Sequence, residues 1–554
     1  MPWGILEGKS GLAHVPGTAL LEQEFTGQGI HHLEHLKSTI VRGEHIILVP
    51  QPSDDPNDPL NWPLWARDLL FLLFAYCCLL CIGGIGPILS LLTLDLVAEW
   101  GISFTDVSLL TGYSLCTTAC SGLFISAVTH KFGKRIPLLF SMTCAFVGTL
   151  WGGFAQSHGS MLGARVVQGF SVAMFESVFF AMVGDLYFVH ERGVRIAVVT
   201  TCVAGLSNIP PVVAGIIATD LGWRWVFWSL AIFLGVALVL AMLFGWETAY
   251  NRNPIFDTDV ASEDLLDTLD AKRAAEADHV ENESPTATTK QEFSATATST
   301  ESLTLKRKSF AARLHPYSTT YSDRPLWRLA IDPILVLGNP TAVWAVMLAS
   351  FPTLWLVAIN LLIAQIFSAP PFLLTTRQLG YMSAGPAVGG TIGSIITGLL
   401  SDPLIKYMAR KNKGVYEPEF RLLLVAPAVA LSAIAYFMFG SFVEQGKSPV
   451  VMATLWGVAV AALQFIMMAV GTYCVDAYRA SSVEIFIATM VVKNFLFWGF
   501  SYFLNDWVQQ WGALRMFYCI AGIQIGLCLT TIPLYVYGKK LRAWWHGKPA
   551  NGST

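Results

Sequence analysis

Arg165-Val-Val-Gln168-Gly169, continuing through Phe175-Glu176-Ser177 to Asp185-Leu-Tyr-Phe-Val-His190-Glu-Arg192-Gly193, places an arginine and a glutamate inside a segment otherwise apolar enough to cross a bilayer. An ionisable side chain at bilayer depth costs about 2.5–3.5 kcal/mol on insertion scales, so it normally faces a polar cavity and marks a substrate or proton path.

The surrounding chain repeats this apolar background. Of its 554 residues, 54% are hydrophobic and 13% charged, against about 25% charged residues in a soluble domain; mean hydropathy is +0.54. Spans of about 20 apolar residues match a hydrocarbon core of about 30 Å. Twelve are expected, at 68–94, 107–129, 136–156, 161–187, 196–218, 225–246, 341–371, 379–401, 421–442, 450–474, 482–504 and 512–537. The fold class expected is therefore an all-α membrane protein of two pseudo-symmetric six-helix bundles, 68–246 and 341–537. A tail (1–67), a linker (247–340) and a second tail (538–554) complete the chain.

No basic, apolar leader opens the sequence, so the first span is expected to act as the signal. Lys131, Lys134, Arg135, Arg192, Arg195, Lys406, Arg410, Lys411, Lys413 and Arg479 fall in loops on the side of the tails, whereas the opposite loops hold chiefly Arg224, Arg377, Lys447 and Arg515. By the positive-inside rule the tails and the middle loop are cytoplasmic. All ten cysteines fall within the expected spans, where they act as small apolar residues, and no structural disulfide is expected.

The cluster His31-His32-Leu-Glu34-His35 lacks the His-Glu-x-x-His spacing of zinc hydrolases and reads as a solvated tail rather than a metal site. Residues 247–336 combine an acidic block, a Ser/Thr-rich run and the basic patch Lys306-Arg307-Lys308, a composition that cannot bury a core. A largely disordered tether is expected there, with phosphorylation and lipid contact as the sharper alternative. Arg324-Pro-Leu-Trp327 through Leu337 reads as a short interfacial helix.

Corresponding fragments in the two halves point to duplication: His130-Lys131-Phe-Gly133-Lys134-Arg135 follows the second span, and Gly398-Leu-Leu-Ser401-Asp402 closes the eighth. Together they resemble the Gly-x-Leu-Ala-Asp-Arg-x-Gly-Arg-Lys loop of the major facilitator superfamily, with His130 at the Asp position. Arg165, Gln168 and Gly169 resemble that family's Arg-x-x-Gln-Gly, which implies a part in proton coupling. Asp58-Pro-Leu-Asn61-Trp62-Pro63, Asp185 to Gly193, Gly222-Trp-Arg-Trp225 and Gly414 to Arg421 resemble its fungal twelve-helix drug:proton antiporter-like branch, in a subgroup of polyamine permease-like members and secondary-metabolite exporters. The family's fifth-helix Gly-Pro-x-x-Gly-Gly has a degenerate counterpart in Pro210-Pro211-Val-Val-Ala214-Gly215; the complete string Gly385-Pro386-Ala-Val-Gly389-Gly390 lies in the eighth span, where close packing is expected. The resemblance implies gating roles for His130, Gly133, Lys134, Arg135, Asp185, Arg192, Pro210, Pro211, Gly215 and Asp402.

Arg165 and Glu176 are eleven residues apart, about 16 Å along a helix. They cannot pair directly, but they share a face with Gln168 close by, which suggests a cavity lining. Glu176 near mid-membrane is expected to load a proton or hold a cationic group. Lys493, beside Asn494, has an acidic partner as its default reading. Asn360, Gln365 and Gln464 add cavity hydrogen-bonding groups, while Gln524 reads as structural. Breaks are expected at Gly83-Gly84-Ile-Gly86-Pro87, at Pro352 and at Pro370-Pro371, in the first helix of each half.

The sequence thus points to a proton-coupled secondary transporter that exports a metabolite or drug. Uptake of polyamines or other organic cations is the alternative, and a non-transporting sensor the reading from another class. The absence of Gly-x4-Gly-Lys-Ser/Thr argues against ATP use, and no catalytic constellation marks an enzyme. The expected partners are the bilayer, a small organic substrate and protons, without nucleic acid, cofactor or metal. A monomer in the plasma membrane is expected, with the vacuolar membrane as the alternative.

Overall fold

The computed structural model describes residues 5, 18–20, 38–41, 44–47, 52–53, 55–250, 309–315, 317, 319–412, 415–478 and 481–546. The histidine cluster, most of the middle loop and the Arg192 side chain lie outside what is described. Among the described residues, eleven helices are long and apolar enough to cross a membrane: Leu64–Leu91, Phe104–Phe132, Arg135–Gly153, Val198–Leu221, Trp223–Phe244, Pro340–Phe367, Thr376–Lys411, Pro418–Glu444, Pro449–Ala477, Ser482–Ser501 and Leu504–Trp545. The fourth span, His158–Leu186, runs beside them and packs on the second and third. Its polar residues separate it from the others by composition, not by length.

The same local devices recur at matching places in each half. Ser103 and Asp106 form a capping box that starts the second span, and Thr375 and Gln378 form one that starts the eighth. Gly222 (φ 92°) opens the sixth span, and Gly512 (φ 74°) divides Leu504–Leu529 just before the twelfth proper. Only glycine adopts such left-handed geometry without strain.

The first span breaks where its Gly/Pro cluster predicts. Leu79–Ile85 is π-helical, Gly86-Pro87 turns, and Ile88–Leu91 resumes the helix. The seventh differs from expectation. Pro352 lies buried inside the continuous helix Pro340–Phe367, and Pro370-Pro371 falls beyond its end. A proline that is enclosed by neighbouring helices costs one ladder bond without ending the span. The last helix also continues to His546, past the expected end at 537.

The halves meet along the second and eleventh spans and along the fifth and eighth. On the face opposite the tails the seam is tight. A Cβ at Gly215 would stand 3.2 Å from the Gly380 Cα, and Asp220 pairs with Arg377 across it. Asn505 donates to the Ser108 hydroxyl at 2.6 Å, and Ser90 to Asn360. Within the second half, Gly385 and Gly389 lie against the backbone of Ala453 and Gly457, so the complete glycine string packs the eighth span on the tenth.

The helix Leu326–Leu335 lies against the second and eleventh spans and so touches both halves. Strands are confined to four short pieces among the described residues. β1 (Ala19–Leu20) pairs with β4 (Val415–Tyr416), and β2 (Ser38–Val41) with β3 (Glu44–Ile47).

Candidate functional site

Midway along the fourth span, the Glu176 carboxylate crosses the boundary between the halves. Its Oε1 lies 3.0 Å from Lys493 Nζ, and its Oε2 accepts from Asn494 Nδ2 at 3.1 Å. The pair is neither sealed nor open: the side chains of Lys493 and Glu176 are 20% and 14% exposed. A buried ion pair has to recover its desolvation cost through geometry and extra hydrogen bonds, and Asn494 supplies one. Removing the charge from one member leaves the other without its counter-ion at depth.

Arg165 is handled differently. It is 2% exposed, and its Nη1 donates to the Ile85 carbonyl at 2.7 Å and to Gln168 Oε1 at 2.9 Å. Gln168 passes the contact on, donating to Thr149 Oγ1 on the third span at 2.9 Å. The single cavity-lining stripe expected of Arg165, Gln168 and Glu176 therefore does not form. A guanidinium within hydrocarbon seeks acceptors, and the π-helical stretch of the first span presents one at Ile85. Arg165 thus ties the broken first span to the fourth, and Gln168 turns toward the third, packed on Gly148.

The tail face carries two ion-pair nodes at corresponding places. In the first half, Lys134 pairs with Asp185 at the end of the fourth span. The Glu247 carboxylate, just past the sixth span, accepts the backbone N–H groups of Lys134 and Arg135 at 2.8 and 3.0 Å. The Arg135 guanidinium reaches the carbonyls of Gly245, Met242 and Leu314. Gly133, at φ 90°, leaves room for Glu247. In the second half, Arg421 and Tyr416 meet Asp476 near the end of the tenth span. Arg542 on the last helix binds Glu419 through two nitrogens, at 2.9 and 2.8 Å, and Glu417 at 3.1 Å, with Lys539 at 2.6 Å from Glu417. The end-of-half charge is acidic in the first node and basic in the second.

The remaining expected residues scatter. Asn360 accepts from Ser90 across the seam, and Gln365 donates to the Asn505 carbonyl at 3.3 Å. Gln464 is 3% exposed beside Gly393, and its Nε2 has no partner among the described residues. Pro210 and Pro211 open the helix Ile209–Leu221, which carries Gly215 to the outer seam. His130 and Asp402 are exposed. His130 shares its surroundings with Glu484, Lys134, Asp332 and Arg324.

Sequence reasoning missed Glu247, Arg542, the Asp220–Arg377 pair, and the pairs of Arg67 with Glu191 and Arg195 with Asp68. The available signal was a charge at nearly every span end; what was missing was which end meets which.

Asp95 and Glu99 lie on Thr93–Trp100, beyond the first span and next to the outer seam. Burial, with a smaller contribution from Glu99, raises the Asp95 carboxyl above its ordinary range in spite of a lowering contact from Thr376. Hydrogen bonds from Arg224 outweigh the partial burial of Glu99 and lower its pKa.

A family model described as Major Facilitator Superfamily matches residues 72–495. Protein HOL1 of Saccharomyces cerevisiae is 24% identical over 587 aligned residues, covering 97% of this chain and 97% of that protein. Efflux pump vrtL of Penicillium aethiopicum is 24% identical over 505 residues, covering 88% and 89%. Among solved structures, a D-xylose–proton symporter superposes with a TM-score of 0.53 at 15% identity, covering 86% of this chain and 99% of the other, a likeness of fold.

Proposed function

Since the chain belongs to the Major Facilitator Superfamily, a family of membrane transporters rather than enzymes, we propose that it is a proton-coupled secondary carrier. It moves a small organic molecule by alternating access and most simply exports a metabolite or drug. The observation that carries this reading is the Glu176–Lys493 pair, which joins the two six-helix halves near mid-membrane. Ionised Glu176 holds Lys493 and Asn494 and keeps the halves together at that level. A proton on the carboxylate removes the charge that Lys493 faces, so the pair loosens and the halves separate there. Arg165, bound to the Ile85 carbonyl at the break of the first span, couples movement of the fourth span to the gate formed by Ile88–Leu91. Gly215, Gly380, Asp220 and Arg377 close the outer side.

The efflux pumps among the relatives support export. The carboxylate of Glu176 beside Lys493 also suits an organic cation, the substrate class of the second reading, which would compete with Lys493 for Glu176 in either direction of transport. The coupling test is transport across proteoliposomes under an imposed pH gradient. Glu176→Gln is expected to abolish the response to the gradient, and an unaltered response would remove the proton-site assignment. Direction is read in cells. A deletion strain that becomes sensitive to a toxin of its own supports export, and loss of labelled spermidine uptake supports import.

A further inference from the structure

The helix Leu326–Leu335 is apolar on two sides. Leu329 and Pro333 are buried where it rests on the second and eleventh spans. On the opposite side Trp327, Ile331, Ile334 and Leu335 are 61%, 39%, 50% and 66% exposed. At about 100° per residue these four share an arc of ~100°, with Arg328 at its edge. An apolar face of this kind marks a surface that meets something other than water. Its level is that of a membrane span: Asp332 on the helix and Glu484 in the first turn of the eleventh span share the surroundings of His130. Val483 and Phe486 of that span, 38% and 37% exposed, are apolar and outward there too.

The charges of this segment are unevenly matched. Arg324 pairs with Asp332 at 2.9 Å, and Lys131 Nζ donates to the Arg324 carbonyl at 3.2 Å. Asp323, in the preceding loop, is the segment's other acid. Arg328 is exposed and has no ion pair among the described residues; its guanidinium lies 5.3 Å from the centre of the Trp327 ring. We propose that the helix Leu326–Leu335 is a binding site for an anionic phospholipid of the tail-side leaflet. The acyl chains lie against Trp327, Ile331, Ile334 and Leu335, and the headgroup phosphate sits on Arg328. A guanidinium presents a fork of donors that matches phosphate oxygens, and tryptophan favours the headgroup level. An amphipathic helix with such residues lies in the plane of the interface, where an unneutralised basic side chain is drawn to the negative leaflet. Because the helix also rests on one span from each half, a lipid seated on it braces the inner ends of both.

Two measurements on the full-length chain test the site. In the first, p-benzoyl-phenylalanine replaces Ile331 in nanodiscs of phosphatidylcholine with a minority of phosphatidylserine, and the photo-adducts are weighed. The same replacement at Val239, 54% exposed on the sixth span, gives the reference for unselective lipid contact. At Ile331 phosphatidylserine is expected to be enriched about five-fold over its share of the disc, the factor for one basic side chain at an anionic surface. Arg328→Gln should return it to that share, and Arg328→Lys should keep most of the enrichment. With lipid adducts present at Val239, a polypeptide adduct or none at Ile331 would overturn the placement of this face in the bilayer. Enrichment that is absent with Arg328 intact, or that survives Arg328→Gln, would overturn the headgroup site. The second measurement is the unfolding temperature in detergent. Added phosphatidylserine is expected to raise it more than phosphatidylcholine does, and Arg328→Gln to cancel the difference while leaving the lipid-free value unchanged. Equal shifts from the two lipids would overturn the bracing.

Discussion

At the scale of single residues, the electrostatics of depth decide what each charge does. Lys493→Met leaves Glu176 as a half-buried carboxylate without its cation, and because both side chains keep some exposure the loss falls below the about 3–5 kcal/mol of a fully buried pair. A clear drop in thermal stability in detergent is expected, largely restored by adding Glu176→Gln, because the second change removes the orphaned charge. Asp95 gives a pH prediction of definite sign. Its pKa is raised by burial in the outer-closed form, so the stabilisation of closure is fully present below the ordinary carboxylate range and is lost as pH rises through the raised value. Labelling of a cysteine placed at Met382, a buried position at the end of the helix Thr376–Met382 beside the outer seam, with a membrane-impermeant maleimide in proteoliposomes should therefore quicken as external pH rises over that interval, and Asp95→Asn should flatten the curve. Glu176 and Lys493 were both legible in the sequence as charges at depth. An acidic partner for Lys493 was expected too, but not which one, because two positions 317 residues apart in the chain meet only through the packing of the halves.

At the scale of elements, backbone proximity fixes how spans cross. Gly215 and Gly380 let the fifth and eighth spans touch, with a Cβ on Gly380 falling 3.1 Å from the Pro211 carbonyl and 3.2 Å from the Gly215 Cα. Gly380→Leu should prise the outer seam apart and raise outer labelling at Met382→Cys, whereas Gly398→Leu, where no atom stands within 4 Å of a new Cβ, should not. The spans themselves were legible from apolar length alone, and the break in the first from its Gly/Pro cluster. Pro352 misled for a physical reason: the sequence registers a lost N–H donor, but helix continuity depends on enclosure by neighbouring spans. Arg165 misled likewise, since helical spacing gives a face and cannot reveal that the Ile85 carbonyl waits on a different span.

At the scale of the molecule, two bundles are joined by side-chain contacts and by a linker whose helix Leu326–Leu335 leans on both. Residues 1–250 and 309–554 produced as separate chains should co-purify, and Arg377→Ala together with Asn505→Ala should weaken the association. Recovery of each piece alone would contradict a seam of this kind. The duplicated plan was readable from the fragments after the second and eighth spans, but the nodes that close each half were not, since Glu247 and Arg542 lie outside any recognisable motif.

The opposite charges at the ends of those nodes have a consequence for assembly of the nascent chain. If the twelfth span settled where the sixth belongs, Arg542 would face Lys134 and Arg135; in the reverse error Glu247 would face Glu417 and Glu419. Either arrangement sets like charges together at the membrane surface. The terminal charge thus works as an address, which directs the last helix of each half to its own bundle although the two bundles share one plan.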